Sequence, residues 1–326
     1  MDQRERAVYS SRSNISQPEK MGGQTVRAKN SDGKGEVRSA SAGSTINGIY
    51  RVSDIQEELH QIRLQGLDTG VATGWNNLDD LYKVKKGMMT IITGIPQSGK
   101  SEFLDALLVN LAELQGWKFA VFSPENYPIS LHVIKLAEKH IGKQFMNRLF
   151  PTLAMNLMQT ETAINFVGNH FTWMYPDYTE KINLDLILAK TSIILEQYGI
   201  DGLIIDPWNE LEHDRNGKSE TDYISECLTK LRRFTREHNI KTWLVAHPQK
   251  MIKNKDGKYD VPTPYDISGS AHWRNKADFC ICVHRENLTV DEVDVYVQKV
   301  KFKHLGKIGK AHFEYDWKSG RFIDSI

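Results

Sequence analysis

Eight consecutive residues carry the clearest chemistry in the chain: Gly94-Ile95-Pro96-Gln97-Ser98-Gly99-Lys100-Ser101 spell G-x-x-x-x-G-K-S. The glycines let the backbone turn so that successive N–H groups face one anionic centre, and the positive end of a following helix reinforces them. In that frame Lys100 reaches the β- and γ-phosphates of a nucleoside triphosphate and Ser101 ligates Mg²⁺. An apolar run, 88–93, precedes the loop and a helical pattern, 102–115, follows it. This strand–loop–helix setting separates the motif from a chance match.

Further residues have the types that complete such a site. Leu203-Ile204-Ile205-Asp206 is an apolar strand ending in a carboxylate, placed to hold the metal through water. Hydrolysis also needs a group that orients the attacking water. Glu125, just past the strand 118–123, fills that role provided its strand lies beside the P-loop strand; Glu210 is the competing carboxylate. His247 follows the strand 242–246 at the carboxyl edge, where α/β proteins bind ligands, and can face the γ-phosphate or the metal water. Each has a plainer reading: a helix cap for Asp206, exposed surface for Glu125 and Glu210, a satisfied polar residue for His247. The company of the P-loop favours the functional one.

Immediately after His247, residues 248–258 include Lys250, Lys253, Lys255 and Lys258. Four lysines on a flexible loop at a catalytic edge form a phosphate-contacting element, giving salt-sensitive and sequence-blind binding to nucleic acid. The plainer alternative is a solvated loop.

These residues need a scaffold, and the rest of the chain reads as one. Of 326 residues, 40% are hydrophobic and 25% charged, with Lys+Arg 42 against Asp+Glu 41 and a formal net charge of +1. That composition excludes wholesale disorder, and no apolar stretch approaches the ~18 residues of a membrane span. Cys227, Cys280 and Cys282 lack the spacing of a zinc site or a disulfide framework, which suits a reducing, cytoplasm-like compartment. Residues 1–48 are rich in Ser, Gly, Asn, Arg and Lys and are expected to form a disordered tail. Within the linker segment 49–70, Ser53 with Gln56 forms a capping-box pattern, and Ile55, Leu59 and Ile62 continue at helical spacing until Gly66. From 71 to 326, helices over 128–141, 183–198 and 219–238 alternate with apolar strands, and 279–283, 293–300 and 311–315 read as late strands. Continuous apolar strands alternating with helices imply an α/β fold whose mostly parallel sheet is covered on both faces.

Taken together, Thr73-Gly74-Trp75 with Leu78-Asp79, the P-loop, Ser123-Pro124-Glu125, Leu203 to Pro207, Val245-Ala246-His247-Pro248 and Ile267-Ser268-Gly269-Ser270-Ala271 resemble the helicase domain of the DnaB/Twinkle group, which includes phage primase-helicases. The resemblance runs from about Val71 to Ile326 and keeps the motif order. It implies a RecA-like P-loop NTPase core that assembles as a hexamer and moves 5′→3′ on single-stranded DNA, using ATP or dTTP with Mg²⁺. It puts Lys100, Ser101 and Asp206 on nucleotide and metal, Glu125 on the catalytic glutamate, and His247 on the phosphate-sensing position. Lys250, Lys253 and Lys255 fall in its DNA-binding loop, and Arg274 and Asn275 in a motif that lines the channel or senses nucleotide. Arg285 falls near the nucleotide base. The position of the family's arginine finger carries Lys303, with Lys301 nearby, and lysine lacks the planar fork of arginine. The 49–70 helix matches a linker that docks on the adjacent subunit. No primase-type metal site precedes Val71, so primase activity is not expected in this chain; a separate primase or polymerase is a candidate partner, and no membrane contact is expected. A filament-forming recombinase ATPase and a non-unwinding loader or scaffold are the competing functions.

Overall fold

The computed structural model describes residues 48–324 apart from 176, 178, 256 and 270. The tail expected over 1–48 therefore lies, except for Gly48, outside the described residues. The chain divides into two units, one ending at Gln61 and the other starting at Ile62. A 3₁₀ turn (Val52–Ile55) in the first leads into helix α1 (Gln56–Gln65), which runs across the division. The cap lies two residues earlier than the Ser53 pattern indicated: the backbone N–H of Arg51 donates to Asp54 Oδ2 at 2.7 Å, and the Ser53 hydroxyl turns to Asp54 as well. A carboxylate is the stronger acceptor for these orphan donors and wins over Gln56. None of the α1 side chains is buried.

The second unit is built on a sheet in the order β3-β2-β4-β5-β1-β6-β7-β8-β9. Its parallel part comprises β1 (Met89–Thr93), β2 (Phe119–Phe122), β3 (Phe171–Trp173), β4 (Gly202–Ile205), β5 (Lys241–Val245) and β6 (Phe279–His284). Antiparallel strands β7 (Glu292–Val300), β8 (Gly309–Asp316) and β9 (Arg321–Asp324) extend it. The mostly parallel α/β sheet expected from the sequence is present. Strands β3 and β9 had no sequence signal of their own.

Period-two alternation sorts the strands onto two cores. Ile92, Val121, Ile204, Trp243 and Val245 pack with Phe103, Leu104, Leu107 and Leu111 of α3 (Lys100–Gln115), with α4 (Ile129–Ile141) and with α5 (Leu157–His170). Their alternates Met89, Ile91, Phe122, Leu203, Ile205 and Leu244 pack with α6 (Leu184–Tyr198) and α7 (Glu220–Glu237). Each fully buried aliphatic or aromatic side chain contributes roughly 1.5–3 kcal/mol. In β7 only Val293, Val295 and Val297 are buried, as befits an antiparallel strand with one wet face. Asn183 and Ser219 cap α6 and α7 through their side chains, accepting from the N–H groups of Leu186 and Asp222.

Candidate active site

The carboxyl ends of β1, β2, β4 and β5 face one edge, and the chemistry-bearing residues sit on the segments that leave them. Gly94 opens the loop after β1 with φ 152, and a Cβ there would collide with the Val283 carbonyl and Ser98 Oγ. Gly99 caps α3 at φ 89, a left-handed value that favours glycine and turns the chain into the helix. Gln97 also takes a positive φ of 66, which few non-glycine residues adopt. Ser98 Oγ is buried without a hydrogen-bond partner, a free donor inside the loop.

Lys100 is 6% exposed, and its Nζ donates to the Ile95 carbonyl at 3.1 Å, across the mouth of the loop. Burial pushes its ammonium down from the usual lysine range, while the charges of Asp206 and Glu125 draw it up. Asp206 follows β4 directly and is 4% exposed. Burial lifts its carboxyl to about 6, with Asp105 and Glu125 adding to the rise; the Ser101 hydroxyl donates to it and, with Lys100, pulls the other way. An unpartnered buried hydroxyl, a buried ammonium and a serine–aspartate pair with a raised pKa fit a site for a polyanion and a divalent cation.

The premise that placed Glu125 next to the P-loop does not hold: β4 and β5 lie between β2 and β1. Glu125 nevertheless reaches the same edge, because parallel strands deliver all their carboxyl ends together. Its Oε1 lies 3.9 Å from His247 Nε2. The His247 backbone N–H donates weakly to Asn209 Oδ1 at 3.4 Å. Burial lowers the His247 pKa, Lys100 lowers it further and Glu210 opposes both, a balance that favours the neutral ring. Glu210, on a 3₁₀ turn (Trp208–Glu210), thus lies within electrostatic reach of His247.

Two features escaped the sequence reading. Asp105, one turn beyond Ser101 on α3, is buried and accepts from His132 Nε2 at 3.0 Å. Trp173 donates its indole N–H to His132 Nδ1 at 3.2 Å, which leaves Nε2 as the ring nitrogen that donates to Asp105. Burial raises the Asp105 carboxyl, but His132 and Lys135 outweigh it and hold it at about 2. Tyr315 on β8 donates its hydroxyl to Glu102, beside Ser101, at 3.3 Å. Its backbone N–H donates to the Asp291 carbonyl, and an Arg285 nitrogen lies 4.0 Å from the Asp291 carboxylate, so Asp291 ties Tyr315 to Arg285. Both come from segments distant in sequence, and no local pattern marks them.

The basic segment is tied at its base: Pro248 pairs with Ile267, and the Gln249 N–H donates to the Asp266 carbonyl at 2.7 Å. Lys258 forms an ion pair with Glu286 and leaves the expected set of four, while Lys253 lies over the Tyr259 ring, 5.4 Å from its centroid. Lys250, Lys253 and Lys255 are exposed. Between this segment, Ile95–Gln97 of the P-loop and Arg285 lies a cavity of about 680 Å³. Arg274 and Asn275 are not part of this edge. They sit on α8 (His272–Lys276), where their carbonyls accept from Lys299 of β7, and Arg274 lies over Tyr265.

Lys301 and Lys303 follow β7 at the opposite, amino edge: Val300 pairs with Phe279, and the Lys301 N–H donates to the Asp278 carbonyl. Lys301 Nζ is 3.0 Å from Asp278 Oδ1, whereas Lys303 is exposed on a 3₁₀ turn (Lys303–Leu305). Neither lysine reaches the phosphate loop of its own chain. Among the described residues, no helix is long and apolar enough to cross a membrane.

Comparison with known proteins agrees with this geometry. Residues 70–324 match the DnaB-like helicase C terminal domain. The chain is 41% identical over 289 residues to the Twinkle homolog protein, chloroplastic/mitochondrial, of Arabidopsis thaliana; the match covers 86% of this chain and 40% of that protein. The chain thus spans about 40% of the length of this curated relative. Among solved structures, an ATPase domain superposes with a TM-score of 0.68 at 19% identity, covering 83% of this chain and 99% of that one. A DnaB-like replicative helicase, solved in a study of its interactions with primase, gives a TM-score of 0.68 at 18% identity, covering 84% and 71%. The RecA-like fold and the motif order expected from the sequence are therefore both present, and the chain belongs to the DnaB-like helicase C-terminal domain family.

Proposed function

We propose that the protein is the motor of a ring-forming replicative DNA helicase, hydrolysing ATP or dTTP with Mg²⁺ while moving 5′→3′ along single-stranded DNA. The observation that carries this reading is the gathering of Lys100, Ser101, Asp206, Glu125 and His247 at one sheet edge, with a three-lysine segment leaving that edge. Bound Mg²⁺ and triphosphate would supply an electrophilic phosphorus with part of its charge neutralised. Lys100 and the backbone N–H groups of the P-loop grip the phosphates, and Ser101 with Asp206 holds the cation. With Ser101 and Asp206 as its protein contacts, the cation would take its remaining ligands from phosphate and water. Glu125 orients the attacking water and takes its proton. The neutral His247 ring, within reach of Glu125, senses the γ-phosphate.

Lys250, Lys253 and Lys255 hold DNA phosphates rather than bases. Helix α1 of one copy, which buries no side chain, docks on the next copy. Arg274 and Asn275 face the DNA channel rather than their own phosphate loop, and Lys303 or Lys301 serves the site of a neighbour. A separate primase or polymerase partners the ring. The organellar address in the name of the Arabidopsis thaliana relative supports an organelle in place of the cytoplasm expected from cysteine usage.

The test is unwinding of 5′-tailed against 3′-tailed forks by purified protein, with Lys100→Ala as control. Unwinding of 5′-tailed forks alone, lost in Lys100→Ala, is expected. A protein that stays monomeric with saturating nucleotide, Mg²⁺ and DNA, or that binds forks and leaves them paired, would overturn the reading.

A further inference from the structure

The carboxylate assigned to water activation is poorly held by its own contacts. The Glu125 side chain is 51% exposed, and its Oε1 stands 3.9 Å from His247 Nε2, beyond hydrogen-bond distance. Its place is therefore set by the backbone turn that carries it, and that turn is closed by Asn126. The Asn126 N–H donates to the Ser123 carbonyl at 3.1 Å, and its side-chain amide donates to Ser123 Oγ at 2.9 Å. The remaining oxygen of the Asn126 amide accepts from Lys135 Nζ at 3.0 Å.

Lys135 lies on α4 and meets the P-loop helix at the same time. Its ammonium is 2.5 Å from Glu102 Oε1, one residue after Ser101, and 3.8 Å from Asp105 Oδ2, one turn further along α3. Glu102 is itself fixed by Lys139 and by the Tyr315 hydroxyl. One three-donor cation thus bridges the helix that grips the phosphates and the turn that carries the base.

We propose that Lys135 is a positioning residue for hydrolysis: through Asn126 it sets Glu125 against the phosphate site, with Glu102 and Asp105 as its anchors on α3. This rests on the nucleotide-hydrolysis reading above. A base displaced by about an ångström loses much of its rate advantage, whereas phosphate binding by Lys100 and the loop N–H groups needs no such tether. Lys135→Met and Asn126→Ala should therefore each lower kcat ~10- to 100-fold while the dissociation constant for MgATPγS changes less than about twofold. The two changes act on one link, so the double variant should lose no more than either alone. Lys135→Arg, which keeps a multidentate cation, should recover most of the rate.

Asn126→Ala leaves the ion pairs of Lys135 intact, so its thermal midpoint should match the wild type and separate positioning from folding. Amide hydrogen exchange supplies a readout independent of turnover: MgATPγS should slow exchange at residues 123–126 in the wild type but not in Lys135→Met. Additive losses in the double variant, unchanged kcat in Asn126→Ala, or equal protection of 123–126 in wild type and Lys135→Met would each overturn the proposal. A wild type that binds MgATPγS, shows the coupled protection and hydrolyses nothing would instead overturn the hydrolysis reading and leave the link standing.

Discussion

Asp206 has the property at residue scale that most directly governs the site. Its carboxyl is lifted to about 6, so near pH 6 a proton competes with the cation for it. Metal-dependent nucleotide binding should fall about tenfold per pH unit below that point and level off above pH 7. Calorimetric titration of MgATPγS between pH 5 and 8 checks this, and an affinity flat from pH 5 upward would remove Asp206 from the cation site.

A second buried charge lies off the site. Lys241 on β5 is fully buried, its Nζ has no hydrogen-bond partner, and it lies 4.7 Å from the Phe279 ring centroid with Tyr82 and Trp243 also close. Burial pushes its pKa down to about 7, partly opposed by Asp278. The unfolded chain keeps this proton up to about pH 10.4, so between pH 7 and 10 the unfolded state binds more protons and stability rises with pH. Lys241→Met should gain about 1–4 kcal/mol at pH 7 by removing the unpaired buried amine, and the gain should shrink towards pH 10. Asp278 would retain Lys301 and the Met89 N–H. Urea unfolding at pH 7 and pH 9.5 measures both parts of this prediction.

At the scale of elements, the loop after β5 is the clearest target. Replacing Lys250, Lys253 and Lys255 by Ala should weaken single-strand binding far more than DNA-free hydrolysis, and should lower the salt slope of binding by about 2 if all three meet phosphates. Fluorescence anisotropy over a salt series reads the slope; full unwinding by the triple variant would detach the loop from DNA.

Which elements were legible follows from where their signals lie. The P-loop with its flanking strand and helix is local chemistry, and helices α6 and α7 announce themselves by the cap residues Asn183 and Ser219. Strand β3 is three residues long, too short for periodicity, and exists because β2 pairs with it. The order of the sheet is also non-local, which is why the supposed neighbourhood of β1 and β2 failed although Glu125 still reaches the same edge. Asp105, His132 and Tyr315 are joined across more than a turn of helix or most of a domain, and such joins leave no trace in spacing.

For the whole molecule, helix α1 carries the assembly prediction. Leu59 is 44% and Leu64 79% exposed. Deleting residues 48–65 should leave a folded monomer with an unchanged thermal midpoint but reduced self-association and reduced hydrolysis per chain. Sedimentation in MgATPγS reads the first effect and a phosphate-release assay the second; rings of undiminished size without α1 would remove the docking role.

The amino-edge lysines and the carboxyl-edge phosphate loop occupy the two ends of one sheet, and this gives each copy a polarity. A symmetric pair built on a two-fold axis could complete both of its sites reciprocally, but it would stop at two copies. Head-to-tail contact repeated in one direction also lets one copy serve the next, and it either closes into a cycle or runs on without limit. In a closed cycle a copy without those lysines silences its neighbour's site, whereas a Lys100→Ala copy silences its own and still serves the next. Mixing Lys100→Ala protein with a Lys301→Ala/Lys303→Ala variant should therefore recover part of the turnover that each lacks alone.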